Sequence, residues 1–250
     1  MNDFFYFKTH FTLLLHYKDK ATFNIEEQIL TNQHVELDFK GLDTYAQVYL
    51  NDSLILSANN MFRSWKVDVK ALLIEGSNEL RIHFTSPIQF HKEAVRDYPH
   101  TLPSGNETAD ITTKVSNFSR KAAYHFGWDW GPRFVSSGIW KPIHLNIWNS
   151  AKIVEVYTTT QRLKDDKAFL NSELTIEVSQ AGEYQIQIDT NLLSIHLKKG
   201  KNSLQHSFKV VEPKLWWCNG LGEPNLYHLK VNLSYQGSQI DEFENTYGIR

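Results

Sequence analysis

The stretch Tyr124-His125-Phe126-Gly127-Trp128-Asp129-Trp130-Gly131-Pro132-Arg133 gathers two indoles, a carboxylate, two glycines and a proline. Indole faces pack against the C–H faces of a pyranose ring, and a carboxylate between them accepts hydrogen bonds from neighbouring hydroxyls. Trp128, Asp129 and Trp130 could therefore both hold and orient a sugar. Gly127 and Gly131 would let the backbone turn sharply and approach a ligand. The other reading is a strand-end corner whose indoles fill the core while Asp129 caps a turn. Residue types alone favour that corner by about two to one, because buried tryptophan is commoner in cores than in sugar sites.

Cleaving a glycosidic bond with retention needs two carboxylates about 5 to 5.5 Å apart, one as nucleophile and one as acid/base. No pair here has that context. Asn78-Glu79 and Asn106-Glu107 are tempting dipeptides but read as decoys. Glu79 opens a strand after a Gly-Ser-Asn turn, where a solvated charge is expected, and Glu107 lies in an irregular segment between Pro103 and Phe118. In Leu215-Trp216-Trp217-Cys218-Asn219-Gly220 the indole pair is expected to pack a core or a domain junction, with Cys218 as a small buried hydrophobe. The 11 histidines show no His-x-x-x-His spacing, so no metal site is expected. No phosphate-cradling glycine motif or Gly-x-Ser-x-Gly elbow occurs, and no cofactor is expected. The residues offer recognition without a self-contained catalytic constellation.

The elements that must position the Trp stretch are strands. Short runs rich in Val, Ile, Tyr, Phe and Thr alternate with period two between Asn, Asp, Gly and Ser clusters. Strands are predicted over 35–39, 45–50, 53–56, 62–69, 80–84 and 135–147, with a tight hairpin at Asn51-Asp52 and a turn at Glu75 to Asn78. Between Pro87 and Phe126 the pattern lapses into a long excursion with a short helix near Gln89 to Arg96; such excursions are usually functional or disordered. Alternation resumes over 154–160, 168–178, 184–188, 204–210 and 226–235, close to the strand complement of an immunoglobulin-like sandwich. Strand counting puts the boundary near Asn149-Ser150-Ala151.

Composition agrees with an all-β protein of two sandwiches. At 250 residues, 41% hydrophobic and 22% charged, the chain can bury two cores and is too apolar for disorder. A net charge of -2 gives no electropositive footprint, so neither nucleic acid nor a membrane surface is an expected partner. The lone Cys218 excludes an intramolecular disulfide and leaves the compartment open. The start around Phe4 to Phe7 has no basic segment or cleavage site and reads as a strand, and no run of apolar residues is long enough to span a bilayer.

Phe126-Gly127-Trp128-Asp129-Trp130-Gly131-Pro132, preceded by Arg120 to His125 and followed by Ser137-Gly138-Ile139-Trp140-Lys141-Pro142, resembles the signature of the beta-mannosidases of glycoside hydrolase family 2. Gly41 to Asn51, with Asn60-Met61-Phe62-Arg63, is similar to the sugar-binding jelly roll of the same family. Leu215 to Gly222, with Pro224, Leu226 and Tyr227, resembles its immunoglobulin-like domain. The resemblance implies a galactose-binding-like jelly roll over 1–149, lacking its first strands and exposing an edge, then an immunoglobulin-like sandwich over 150–247. Residues 248–250 would open the link to a (β/α)8 barrel outside this chain, which in the family carries both catalytic glutamates. No catalytic residue is therefore carried over. Trp128, Asp129 and Trp130 are, as the loop that in the family binds the nonreducing-end mannosyl unit. The implied partners are a β-mannoside or manno-oligosaccharide and the barrel, joined in cis or supplied in trans; Cys218 stands where relatives commonly have proline.

Overall fold

A computed structural model describes residues 16–100, 102–104, 107, 114–128 and 130–250. The strand read around Phe4 to Phe7 lies outside them, as do Asn106 and Asp129. The chain divides into two compact units, Met1–Ile147 and Trp148–Arg250.

In the first unit, β1 (His16–Ile25), β6 (Gly76–Thr85), β3 (Tyr45–Leu50) and β4 (Ser53–Asn59) form one antiparallel sheet in the order β1-β6-β3-β4. A second sheet has the order β5-β2-β7, built from Trp65–Asp68, His34–Asp43 and Gly138–Trp148. Alternation does what the sequence pattern demands: in β6, Asn78, Leu80, Ile82 and Phe84 turn inward while their neighbours face out. Leu80, Ile82 and Phe84 meet Val35, Leu37, Phe39 and Leu42 of β2 and Ile143 and Leu145 of β7 in one core. Each such side chain contributes roughly 1.5–3 kcal/mol on burial. Asn51 and Asp52 both take positive φ, 47° and 64°, the geometry of a two-residue hairpin turn whose twist matches the strands. The Asn51 side chain then accepts from Glu79 N–H at 2.9 Å and donates to Asn78 Oδ1 at 2.8 Å, tying the hairpin to β6.

The first unit also carries helix α1 (Glu27–Leu30) and helix α2 (Pro87–Asp97). α2 opens with Pro87, whose missing N–H costs nothing at a helix start. Two expected strands begin later in the structure. Phe62 to Ser64 form a turn before β5, because the Asn60 carboxamide accepts Phe62 N–H at 2.9 Å and bends the chain there. Val135 to Ser137 stay irregular before β7, where Ser136 N–H bonds Phe134 O at 2.9 Å.

The second unit pairs the sheet β11-β10-β13-β14 with the sheet β12-β9-β8. Its strands are β8 (Ala151–Lys164), β9 (Lys167–Val178), β10 (Gly182–Ile188), β11 (Asn191–Leu197), β12 (Gly200–Val211), β13 (Tyr227–Tyr235) and β14 (Ser238–Tyr247). β9 again buries alternate residues, among them Leu170, Leu174, Ile176 and Val178. Tyr184, Ile186, Val231 and Leu233 from the other sheet close that core. Four strands facing three is the plan of an immunoglobulin-like sandwich; the whole chain is a galactose-binding-like jelly roll followed by an immunoglobulin-like sandwich.

Candidate functional site

The excursion between α2 and β7 carries the Trp stretch, and polar and apolar anchors hold it at both feet. On the N-terminal side, Met61 N–H donates to Arg120 O at 3.0 Å and Ala122 N–H reaches Met61 Sδ at 3.0 Å. Between these contacts the buried Lys121 ammonium donates to the Asp43 carboxylate, which also accepts from the Thr44 hydroxyl. Burial holds the Lys121 ammonium below its ordinary range, with Asp43 opposing the shift. A 3-10 turn at Ala123–Phe126 then drives Phe126 into the interior. It ends at Gly127, whose φ of 117° is one that a side chain resists.

Trp128 to Gly131 is a tight turn closed by Gly131 N–H donating to Trp128 O at 3.2 Å. The indoles of Trp128 and Trp130 meet edge to face, centroids 5.4 Å apart at 71°. They are 39% and 83% exposed, so they do not fill a core, and the reading that residue types alone favoured fails here. The turn is too short and too firmly held at its feet to fold the rings back. Asp129, between them in sequence, lies outside the described residues.

On the C-terminal side, Arg133 Nη2 donates to Glu107 Oε1 at 3.2 Å. Glu107 is buried and also accepts from Ser104 Oγ, Val115 N–H, Ser116 N–H and Ser116 Oγ, the last at 2.8 Å. A carboxylate so surrounded is satisfied by charge-assisted bonds and joins Ser104, Val115 and Ser116 to the foot of the Trp turn. Across the mouth of the loop, His125 Nδ1 and Ser136 Oγ sit 2.9 Å apart. Burial and the nearby Lys121 push the His125 pKa down, while Asp43 and a hydrogen bond to the Phe134 backbone oppose the shift. His125 is thus neutral at neutral pH. From sequence Glu107 reads as a decoy carboxylate and His125 only as part of the Trp stretch; their anchoring roles go unread because their partners, Arg133 and Ser136, are set by a path of the chain that no local pattern encodes.

The other sequence candidates fall elsewhere. Asn78 is buried and Glu79 half-buried; Glu79 pairs with Lys20 at 2.6 Å and Arg81 at 3.5 Å, so it is not the freely solvated charge expected. In the second unit, Trp216 packs at Gly248 and Trp217 at Gly222, where an added Cβ would lie 2.8 and 2.7 Å from indole-residue atoms. Cys218 is exposed, which corrects the expectation of a buried hydrophobe. It begins a surface turn in which Leu221 N–H donates to Cys218 O at 3.1 Å, and that turn leads the chain away from the core.

Two family matches bear on this geometry. Residues 8–141 match the glycosyl hydrolase 2 galactose-binding domain-like family, and residues 150–250 match glycosyl hydrolases family 2. The chain belongs to glycosyl hydrolase family 2. Within that family it is 35% identical to beta-mannosidase B of Emericella nidulans over 86% of this chain and 26% of that protein. It is also 35% identical to beta-mannosidase B of Aspergillus flavus over 89% of this chain and 27% of that protein. A beta-D-mannosidase crystal structure from Dictyoglomus thermophilum superposes with a TM-score of 0.83 at 34% identity, covering 94% of this chain and 29% of that one. An exo-chitosanase from Amycolatopsis orientalis, at 15% identity and a TM-score of 0.68, shares the fold alone. This family 2 chain thus spans about a quarter of the length of the beta-mannosidases it matches.

Proposed function

We propose that the chain is the non-catalytic N-terminal part of a retaining beta-mannosidase that removes terminal nonreducing β-D-mannosyl residues, with Trp128, Asp129 and Trp130 as its substrate-positioning loop. The observation that carries the reading is the pair of exposed indoles standing edge to face on a turn anchored at both feet, in a chain similar to proteins named beta-mannosidase. An indole held out of the core offers its face to the C–H face of a sugar. A turn ordered in advance loses little conformational entropy when the sugar arrives. In this reading the jelly roll covers 1–149, the immunoglobulin-like sandwich 150–247, and 248–250 lead toward a catalytic barrel supplied elsewhere in the protein. The two carboxylates that break the bond belong to that barrel, and this chain contributes recognition.

The purified 250 residues should show no turnover of a chromogenic β-mannoside. Measurable turnover, retained after rigorous removal of contaminating glycosidases, would contradict the proposal. A second reading, a carbohydrate-binding module that works without a barrel, is favoured by one observation: each unit has its own closed core. It expects mannose binding at about millimolar affinity or tighter, abolished by Trp128→Ala and Asp129→Ala in calorimetric titration.

A further inference from the structure

Among the described residues, one backbone hydrogen bond closes the turn that carries Trp128 and Trp130, Gly131 N–H to Trp128 O. A surface turn resting on that bond alone would sample many shapes. Side-chain struts from outside the turn flank it. Glu107 takes Arg133 at 3.2 Å, two residues beyond Gly131, and fastens it to the amides of Val115 and Ser116. His125 spans the loop from three residues before Trp128 to Ser136, five residues beyond Gly131, at 2.9 Å. The two struts grip different residues on the same C-terminal foot. Lys121 and Asp43 lock the N-terminal foot to the end of β2.

We propose that Glu107 and His125, acting through Arg133 and Ser136, are positioning residues that set the mutual angle of the Trp128 and Trp130 indoles before any ligand binds. This inference rests on the sugar-loop reading for its purpose, though not for its test. Neither residue needs to touch a sugar: Glu107 is buried with its oxygens already engaged, and His125 is directed at Ser136. Their role is to exclude alternative turn shapes, the form in which a remote side chain supports recognition. Glu107 links the turn to Ser104, Val115 and Ser116 as well, so the packing of those residues and the angle of the indoles should change together.

Edge-to-face indoles at 5.4 Å couple their transitions, so the pair gives an exciton couplet in far-ultraviolet circular dichroism. The wild-type chain minus Trp130→Phe isolates that couplet. Glu107→Gln, which sets an amide donor either against Arg133 and the Val115 N–H or against the Ser116 N–H, should lose most of it while the thermal transition of the rest of the chain persists. Ser136→Ala, which removes the hydroxyl partner of His125 and leaves its bond to the Phe134 backbone, should lose a smaller part, and Arg133→Lys should retain more of the couplet than Arg133→Ala. If both Glu107→Gln and Ser136→Ala keep the full couplet, the positioning role is wrong. If Glu107→Gln fails to fold, Ser136→Ala and the Arg133 pair decide the question alone. Mannose titrated into the wild type in parallel keeps the two ideas apart: an unresponsive couplet would count against the sugar reading and leave the positioning result standing.

Discussion

Trp130 stands in solvent and Trp128 is 39% exposed on a turn held by ion pairs and hydrogen bonds, whereas Trp216 and Trp217, the latter still 46% exposed, lie against glycines that leave no room for a side chain. Gly131, beside Trp128, would meet an added Cβ at 3.6 Å, an ordinary contact. At Gly248 and Gly222 the corresponding approach is 2.8 and 2.7 Å. Trp216 N–H also donates to Ile249 O at 2.8 Å, and Ile249 is fully buried beside Leu215 and Tyr247. Trp216 lines a groove of ≈ 500 Å³ with Tyr157, Asn245, Thr246 and Arg250. One aromatic pair is thus carried by polar anchors, and the other is pinned against backbone, with Trp216 partly buried and Trp217 still open to solvent on one side. The same residue type is held in different ways because its neighbours differ in chemistry, not because its own sequence context announces the difference.

The anchors of the displayed pair are where that contrast breaks most easily. Lys121→Ala leaves the Asp43 carboxylate buried and, among the described residues, with the Thr44 hydroxyl as its remaining hydrogen-bond partner, and removing one partner of a buried pair costs about 3–5 kcal/mol. Denaturant unfolding should show a loss of that size; a loss below about 1 kcal/mol would mean the pair is effectively solvated and the foot is not locked. Next in size, Gly248→Ala and Gly222→Ala force an indole to move and should cost about 1–3 kcal/mol. Gly131→Ala should stay within about 0.5 kcal/mol. Equal costs at Gly131 and Gly248 would erase the distinction between the two loops.

Much of this was legible in the sequence, and the reasons for the remainder are particular. Alternation in 80–84 and 168–178 marks β6 and β9 because both strands bury one face, and Asn51-Asp52 marks its hairpin because few residue pairs accept two positive φ values. β11 (Asn191–Leu197) went unread because its first residues are exposed despite Leu192 and Leu193, so it lacks the two-residue rhythm that betrays a half-buried strand. Trp128-Asp129-Trp130 stood out as a motif, but the contacts that flank it, Glu107 with Arg133 and His125 with Ser136, span 26 and 11 residues and leave no local pattern. Cys218 was misjudged because a small sulfur side chain is usually buried, and here a surface turn carries it outward.

Acid separates the two units further. Burial lowers the pKa of His91, His125 and His144 in the first unit from 6.5. The unfolded chain then binds those protons more readily than the folded one. First-unit stability is therefore complete above the ordinary histidine pKa and declines as pH falls from 6.5 toward the lowered folded values. In the second unit, burial raises the Asp241 pKa above 3.8, so its folded form holds a proton more tightly and gains stability as pH falls through that raised value. Calorimetric scans across this range should show the first unit's transition falling before any loss in the second. Loss in the opposite order would show that the histidine environments are misjudged. The smallest expected change in stability is that of Trp130→Ala, within about 0.5 kcal/mol, because 83% of the residue is already in water.

That same substitution gives the most direct test of the sugar-loop account. In the complete enzyme carrying this chain, kcat/KM for a chromogenic β-mannoside should drop at least about tenfold in Trp130→Ala, equivalent to roughly 1.4 kcal/mol of lost transition-state binding, with the melting temperature unchanged. Wild-type kinetics retained by Trp130→Ala, or hydrolysis of β-galactosides in preference to β-mannosides by the wild type, would contradict it.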